Sequence, residues 1–240
     1  MILRYTETGY LVILPQDDPH YIVNAMLETG YNEEYCVSLD FSPDFIARLM
    51  KAGFLVMSAK LDGFEEGDSA RIFPHYILLP RLHLSRSALF FDNLHIKKSI
   101  KPYLGRYELY FDSDFDRIVE RCLEIHGDDW LTPPLVDAIK VIRREKLHGV
   151  YPASFALYRD GTLVAGEFGV ISGRVYTSYS GYYEESNAGT VQLIFATRYL
   201  RENDFDFFDL GMPLDYKTDL GALDISPDEF VTIFRAAQEY

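Results

Sequence analysis

Residues 154–183, SFALYRDGTLVAGEFGVISGRVYTSYSGYY, decide how the rest of the chain is read. They hold three β-rich runs separated by two short turn signals. Asp160-Gly161 is a two-residue hairpin turn, because both positions tolerate positive φ and match the twist of the flanking strands. Ser172-Gly173 makes a second turn. The stretch therefore reads as a β-meander. Directly after it, SNAGTVQLIFATRYLREN reads as a helix capped at Ser186 or Asn187. The run DFDFFDLGM is the next strand. SPDEFVTIFRAA is a closing helix with Ser226 as cap and Pro227 in its first turn.

Upstream, YELYFDSDFDRIVERCLEI is a strand and then a helix capped near Asp112 or Ser113, with Phe115, Ile118, Val119 and Cys122 on its apolar face. WLTPPLVDAIKVIRREKLHG is a helix with Thr132 as cap, Pro133 in its first turn and Gly149 as its stop. Further back, FSPDFIARLMKAGF has the same Ser-Pro start at Ser42-Pro43, an apolar face of Phe45, Ile46, Leu49 and Met50, and a stop at Gly53. GYLVILP reads as a short strand. The charged, glycine-containing run KLDGFEEGDSAR at residues 60–71 reads as a loop. These elements predict an α+β protein: a small N-terminal α/β domain at 1–76, and a domain at 77–240 with a mixed sheet flanked by helices. The order helix, hairpin, strand, helix, strand, helix in the second domain resembles a GNAT-like acyltransferase core.

The chain has 240 residues, 48% of them hydrophobic, enough for a sizeable core. No apolar run is long enough to span a bilayer. The start, MILRYTETGYLVILP, lacks the apolar core and cleavage site of a signal peptide. The two cysteines, Cys36 and Cys122, have no metal or redox spacing. The expected location is the cytoplasm. His83, His95, His126 and His148 form no ligand pattern, so no metal site is expected. No GxSxG elbow supports serine-hydrolase chemistry.

Formal net charge is −14, which disfavours a general grip on nucleic-acid phosphates. Residues 77–106 depart from it, with Arg81, Arg86, Lys97, Lys98, Lys101 and Arg106 against the single acid Asp92. Such a patch holds a few phosphates at one end of an RNA, or is an ordinary solvated face. Arg143, Arg144 and Lys146 are candidates to extend it. Asp209, at the end of a hydrophobic strand, either orients and deprotonates an amine nucleophile or serves as a turn residue before Gly211 and Pro213. Trp130, the only tryptophan, either stacks on a ring or anchors the start of its helix. Glu184 and Glu185 precede the helix after the meander, where two carboxylates would repel a coenzyme-A pyrophosphate.

Several motifs together resemble the bacterial leucyl/phenylalanyl-tRNA–protein transferases. They are RSALFFDNLHIKKSI at 86–100, YELYFDSDFDRIVERC, WLTPPLVDA, GTLVAGEFGV, and the spacing from NAGTVQL through Asp209 to DLGA at 219–222. The resemblance implies transfer of a Leu- or Phe-type amino acid from charged tRNA to the N-terminal Arg or Lys of a protein, marking it for degradation. It implies no cofactor, no DNA and no membrane, and the protein is expected to be a monomer. The family's Asp-x-Gln falls on Asp209-Leu210-Gly211, so Asp209 and Gly211 are the expected catalytic positions. Gly211 stands where the family has glutamine, and Tyr179 where it has glutamate. Trp130 matches a ring that holds the terminal adenosine, and Tyr179 is a second candidate. Phe155, Phe168, Tyr176 and Phe208 are candidates for the pocket that reads the aminoacyl side chain. Arg81, Arg86, Lys97, Lys98 and Lys101 are the expected tRNA contacts.

Overall fold

The computed structural model describes residues 2–61 and 76–239. Along the chain run β1 (Arg4–Tyr5), β2 (Leu11–Val12), α1 (Pro19–Thr29), β3 (Cys36–Val37), α2 (Pro43–Lys51), β4 (Leu55–Lys60) and β5 (Tyr76–Arg81). Next come β6 (Arg86–Leu89), β7 (Glu108–Phe111), α3 (Phe115–His126), α4 (Pro133–Glu145), β8 (Val150–Arg159), β9 (Thr162–Ser172) and β10 (Val175–Tyr183). The chain closes with α5 (Ala188–Glu202), β11 (Phe207–Asp209), α6 (Asp215–Asp219), β12 (Leu223–Ile225) and α7 (Pro227–Ala236). The structure has the expected α+β class and the expected meander, helix, strand and closing helix, with α6 and β12 inserted between the last two. From residue 62 on, the loop expected at 60–71 lies outside the described residues.

The chain gathers into two compact units, one of residues 1–84 with 127–150, the other of residues 85–126 with 151–240. A single division at residue 76 does not describe this grouping. The reason is α4, whose stripe of Leu135, Ala138, Ile139 and Ile142 is buried. This helix packs with α2 rather than with the elements that flank it in sequence. Helix α2 buries its predicted face, Phe45, Ile46, Leu49 and Met50. In the same unit β1, β2 and β3 form a small sheet, and β4 pairs antiparallel with β5. The start of α4 is tied to β4 by Ser58, whose amide and hydroxyl both donate to the Trp130 carbonyl (2.9 and 3.0 Å).

The second unit is built on a seven-stranded sheet in the order β12-β6-β11-β10-β9-β8-β7. The hairpin turn between β8 and β9 has positive φ at both Asp160 and Gly161, as its sequence requires. One pairing in the sheet is parallel, β10 with β11, and α5 is the crossover that joins them. Helix α5 buries Ala188, Val191, Ile194, Ala196 and Leu200 in a core shared with Phe155, Leu157, Tyr176 and Phe208. Side chains alternate along a strand, so the neighbours of Phe208 and Tyr176 point the other way. There Phe207 meets Phe230 of α7, and Phe168 meets Phe115 of α3. The sheet is thus covered by α5 on one face and by α3 and α7 on the other.

Candidate functional site

The parallel pair β10–β11 is short. It runs only over Val175, Tyr176 and Thr177 against Phe207, Phe208 and Asp209. Past that point the strands part. The chain after β11 stays with β6, where Leu210 N–H donates to Ser87 O (2.9 Å) and Ser87 N–H to Gly211 O (2.7 Å). Strand β10 instead continues to Tyr183 paired only with β9, whose register shifts at a bulge between Ser178 and Ser180. The two strands therefore diverge, leaving an opening in the sheet's hydrogen bonding between Ser178 onward and Leu210 onward. Bulges re-aim side chains and recur beside active sites.

Asp209 stands at the apex of the opening and is completely buried, at 0% exposure. Its Oδ1 accepts from Arg86 Nε (2.8 Å) and from the Gly211 amide (3.0 Å). Its Oδ2 accepts from Arg86 Nη2 (2.6 Å) and from Thr177 Oγ1 (2.8 Å). A carboxylate has about four lone-pair sites, and all are taken. The Arg86 guanidinium, 1% exposed, also lies over the Phe230 ring at 4.2 Å from its centroid. Asp209 therefore holds the apex of the sheet together and offers no acceptor to an incoming amine. Gly211 brings only its backbone, an amide on Asp209 and a carbonyl on Ser87, with φ of 72°.

Lys217 of α6 holds the chain that follows β11. Its Nζ donates to the carbonyls of Leu210 (2.5 Å) and Met212 (2.8 Å). Burial pushes its pKa down to about 8, against the upward pull of Asp209 and Glu167. Glu167 of β9 is the second enclosed carboxylate, 3% exposed. Burial raises its pKa to about 8, opposed by Ser178, Gln192, Lys217 and Tyr176. Its Oε2 accepts from Ser178 Oγ at 3.3 Å, and its Oε1 has no hydrogen-bond partner. Tyr176 Oη and Gln192 Nε2, both turned toward it, are likewise without a bond of acceptable geometry. Ser178 is half-buried and so connects this enclosed cluster with the opening.

The remaining expected residues divide by burial. Phe155, Phe168, Tyr176 and Phe208 are each 0% exposed. They fill the core between sheet and helices and present no surface to a substrate. Tyr179, at the bulge, is half-buried with its ring 6.1 Å from Phe168. Apolar surface near the opening comes from residues not singled out in the sequence: Met212, Leu214 and Tyr216, all exposed. Trp130, in the other compact unit, is half-exposed at the start of α4. Among the expected tRNA contacts, Arg86 is spent on Asp209. Arg81 is paired with Glu34 and stacked on Tyr35. Lys97 is exposed and paired with Asp219 at 2.5 Å, and Lys98, Lys101 and Arg106 are exposed. Arg143, Arg144 and Lys146 belong to the first unit, not to the unit that carries these lysines.

Glu184 and Glu185 carry their own counterions, Arg121 at 2.7 Å and Arg159 at 2.7 Å. Repulsion by these two carboxylates is therefore a weaker bar to a pyrophosphate than the sequence suggested. Among the described residues no three of His, Cys, Asp or Glu are grouped to hold a metal ion, and no helix is long and apolar enough to cross a membrane. Glu167 and Lys217 were missed by sequence reasoning. A visible signal existed for Glu167, a lone charge in the otherwise uncharged strand TLVAGEFGVIS. None existed for Lys217, whose neighbours Asp215, Tyr216, Thr218 and Asp219 read as surface.

A family model described as leucyl/phenylalanyl-tRNA protein transferase matches residues 88–235. A protein of that description from Pseudomonas fluorescens is 32% identical over 151 residues, covering 60% of this chain and 65% of the relative. One from Maridesulfovibrio salexigens is 27% identical over 167 residues, covering 67% and 66%. The match thus spans just under two thirds of the length of these relatives. Among solved structures, L-PGS from Bacillus licheniformis is similar over 99% of this chain and 89% of its own, at 12% identity and a TM-score of 0.45. The matched residues include the whole of β9, β10, α5, β11 and α6 around the opening, and on that match the chain belongs to the leucyl/phenylalanyl-tRNA protein transferase family.

Proposed function

We propose that this protein moves a hydrophobic amino acid, of the leucine or phenylalanine type, from charged tRNA to the α-amine of a protein beginning with Arg or Lys. The modified protein is thereby marked for degradation in the cytoplasm. The observation that carries this reading is the family match over the residues that build the opening. An aminoacyl ester is already activated, so the protein's task is to place a neutral amine against the ester carbonyl. No cofactor enters this reaction.

Asp209 acts as a positioning residue. Through Arg86, Thr177 and the Gly211 amide it sets the width of the opening between β10 and the chain after β11. Met212, Leu214 and Tyr216 supply the exposed apolar surface against which a leucine or phenylalanine side chain is buried. Tyr179, half-buried at the bulge, is the ring for the terminal adenosine. Lys98 and Lys101, with Lys97 and Arg106, meet phosphates of the acceptor stem.

The test is an assay with radiolabelled leucyl-, phenylalanyl- and arginyl-tRNA against peptides of varied N-terminus. Label from leucyl- or phenylalanyl-tRNA is expected to move to Arg- and Lys-initiated peptides. Charged tRNA that is bound but never consumed would overturn the reading in favour of a non-catalytic tRNA-binding relative. Heat released on titration with an acyl-coenzyme A would favour a different acyl donor.

A further inference from the structure

Asp209 cannot take a proton from the acceptor amine while its lone pairs are filled, which leaves the transfer without an evident proton acceptor. A second enclosed carboxylate lies in the same unit. Glu167 is 3% exposed, and its Oε1 closes no well-formed hydrogen bond although Tyr176 Oη and Gln192 Nε2 are turned toward the carboxyl, a costly state for a buried acceptor. Its other oxygen is bonded to Ser178 Oγ at 3.3 Å, and Ser178 sits half-exposed where β10 leaves β11. The bulge at 178–180 is what turns the strand at this point. Groups facing Glu167 come from three elements: Tyr176 and Ser178 of β10, Gln192 of α5, and Tyr216 and Lys217 of α6, while Cys122 of α3 feels its charge from the other face of the sheet.

We propose that Glu167, acting through the Ser178 hydroxyl, accepts the proton that the acceptor amine loses during aminoacyl transfer. The inference rests on the transferase reading above. As the amine nitrogen bonds to the ester carbonyl carbon, its proton passes to Ser178 Oγ while the Ser178 proton passes to the Glu167 carboxylate. The bond from that carbon to the ribose oxygen then breaks. The proton held on Glu167 returns by the same route to the departing ribose oxygen. Products are a peptide bond and uncharged tRNA, and Glu167 ends ionised as it began. Ser178 touches the substrate in this scheme. Glu167 works through it.

The experiment is single-turnover transfer from pH 5.5 to 9 by wild type, Glu167→Gln and Ser178→Ala, with tRNA affinity measured in parallel. Two groups must lose protons before reaction, the acceptor α-amine, with an ordinary pKa near ~8, and Glu167, raised to about 8 by burial. The wild-type log rate should therefore rise with a slope of about two below neutral pH, as two ionisations require. Each variant should be slower by roughly 100-fold or more, the usual scale of a lost general base. Glu167→Gln should also show a slope of one, while tRNA affinity stays within twofold. A purely structural role lowers the rate but keeps the slope. Unchanged rates, or an unchanged slope in Glu167→Gln, overturn the proposal and leave the transferase reading intact. Should Glu167→Gln fail to fold, an unimpaired Ser178→Ala overturns the relay by itself. No transfer by the wild type ends both.

Discussion

At the scale of single residues, Asp209 and Glu167 show how two buried carboxylates in one sheet come to different uses. Asp209 has four donors around it, three from side chains and one from the Gly211 backbone. Removing its charge leaves Arg86 buried and uncompensated. Asp209→Asn should therefore lower stability by about 3–5 kcal/mol, the usual cost of breaking a buried ion pair, measured by urea denaturation. Adding Arg86→Met removes the stranded charge and should recover more than half of the loss. A single variant as stable as wild type would show that the pair does not hold the apex. Glu167 gives a signal in pH instead. Its folded pKa is raised from 4.5 to about 8, so between those values the folded protein holds a proton that the unfolded chain has released. Stability from this group is complete below pH 4.5 and is lost as pH rises through 8. Lys217 has the opposite sign, because its folded pKa falls to about 8 from 10.5, and stability rises with pH between those values. Glu167→Gln should flatten the fall between pH 5 and 8 in thermal melts, and an undiminished fall would assign it to other groups. Asp209 was legible in the sequence as a special position, since a strand-terminal aspartate before Gly-Met-Pro invites two readings. Its partner Arg86 lies 123 positions away, and no local pattern announces such a pairing.

At the scale of elements, the sequence was most readable where local chemistry alone sets the structure. Ser42-Pro43, Thr132-Pro133 and Ser226-Pro227 each start a helix as expected, and Ser226 closes a full capping box with Glu229. The meander needed only its own turns and its apolar runs. Strands β6 and β12 were not legible. They are four and three residues long, and each exists because a partner distant in sequence pairs with it. Strand β12 is held beside β6 by the turn at Gly221, whose φ is 103°. A Cβ there would come within 2.0 Å of Asn93 O. Gly221→Ala should thus cost more than the ~1–3 kcal/mol of backbone strain alone, read as a lowered thermal midpoint. Gly161→Asn is the control, because Gly161 also has positive φ but open space around it, and Asn tolerates that region. A control variant that loses as much as Gly221→Ala would make close packing irrelevant. The core aromatics were the opposite failure. Phe155, Phe168, Tyr176 and Phe208 lie on strands with helices over both faces, so alternation cannot tell a lining residue from a filling one.

At the scale of the whole molecule, charge is the property on which the proposed polyanionic substrate depends. A chain of net charge −14 repels nucleic acid everywhere except where cations are concentrated and unspent. The sequence located such a concentration at 77–106, but it could not separate spent cations from free ones. Arg81 and Arg86 are committed to Glu34 and Asp209, whereas Lys98, Lys101 and Arg106 are exposed on the turns between β6 and β7. Helix α5 touches the first of these turns and adds the exposed Arg198, whereas Arg201 is paired with Asp92 at 3.0 Å. The surface proposed to meet tRNA is thus smaller than the sequence patch and lies in the second unit. Removing one cation from a phosphate lowers the dependence of log affinity on log salt by about 0.7–0.9. Lys98→Glu with Lys101→Glu should weaken tRNA binding at low salt by at least tenfold and reduce that slope by about 1.4–1.8. Lys97→Glu should do less, because Asp219 already draws on that charge. Arg81→Gln should leave the slope unchanged, since its guanidinium is paired within its own unit. If all four changes alter the slope alike, tRNA senses the net field of the molecule rather than this patch, and the acidic remainder of the surface would then matter chiefly for drawing in a cationic protein N-terminus.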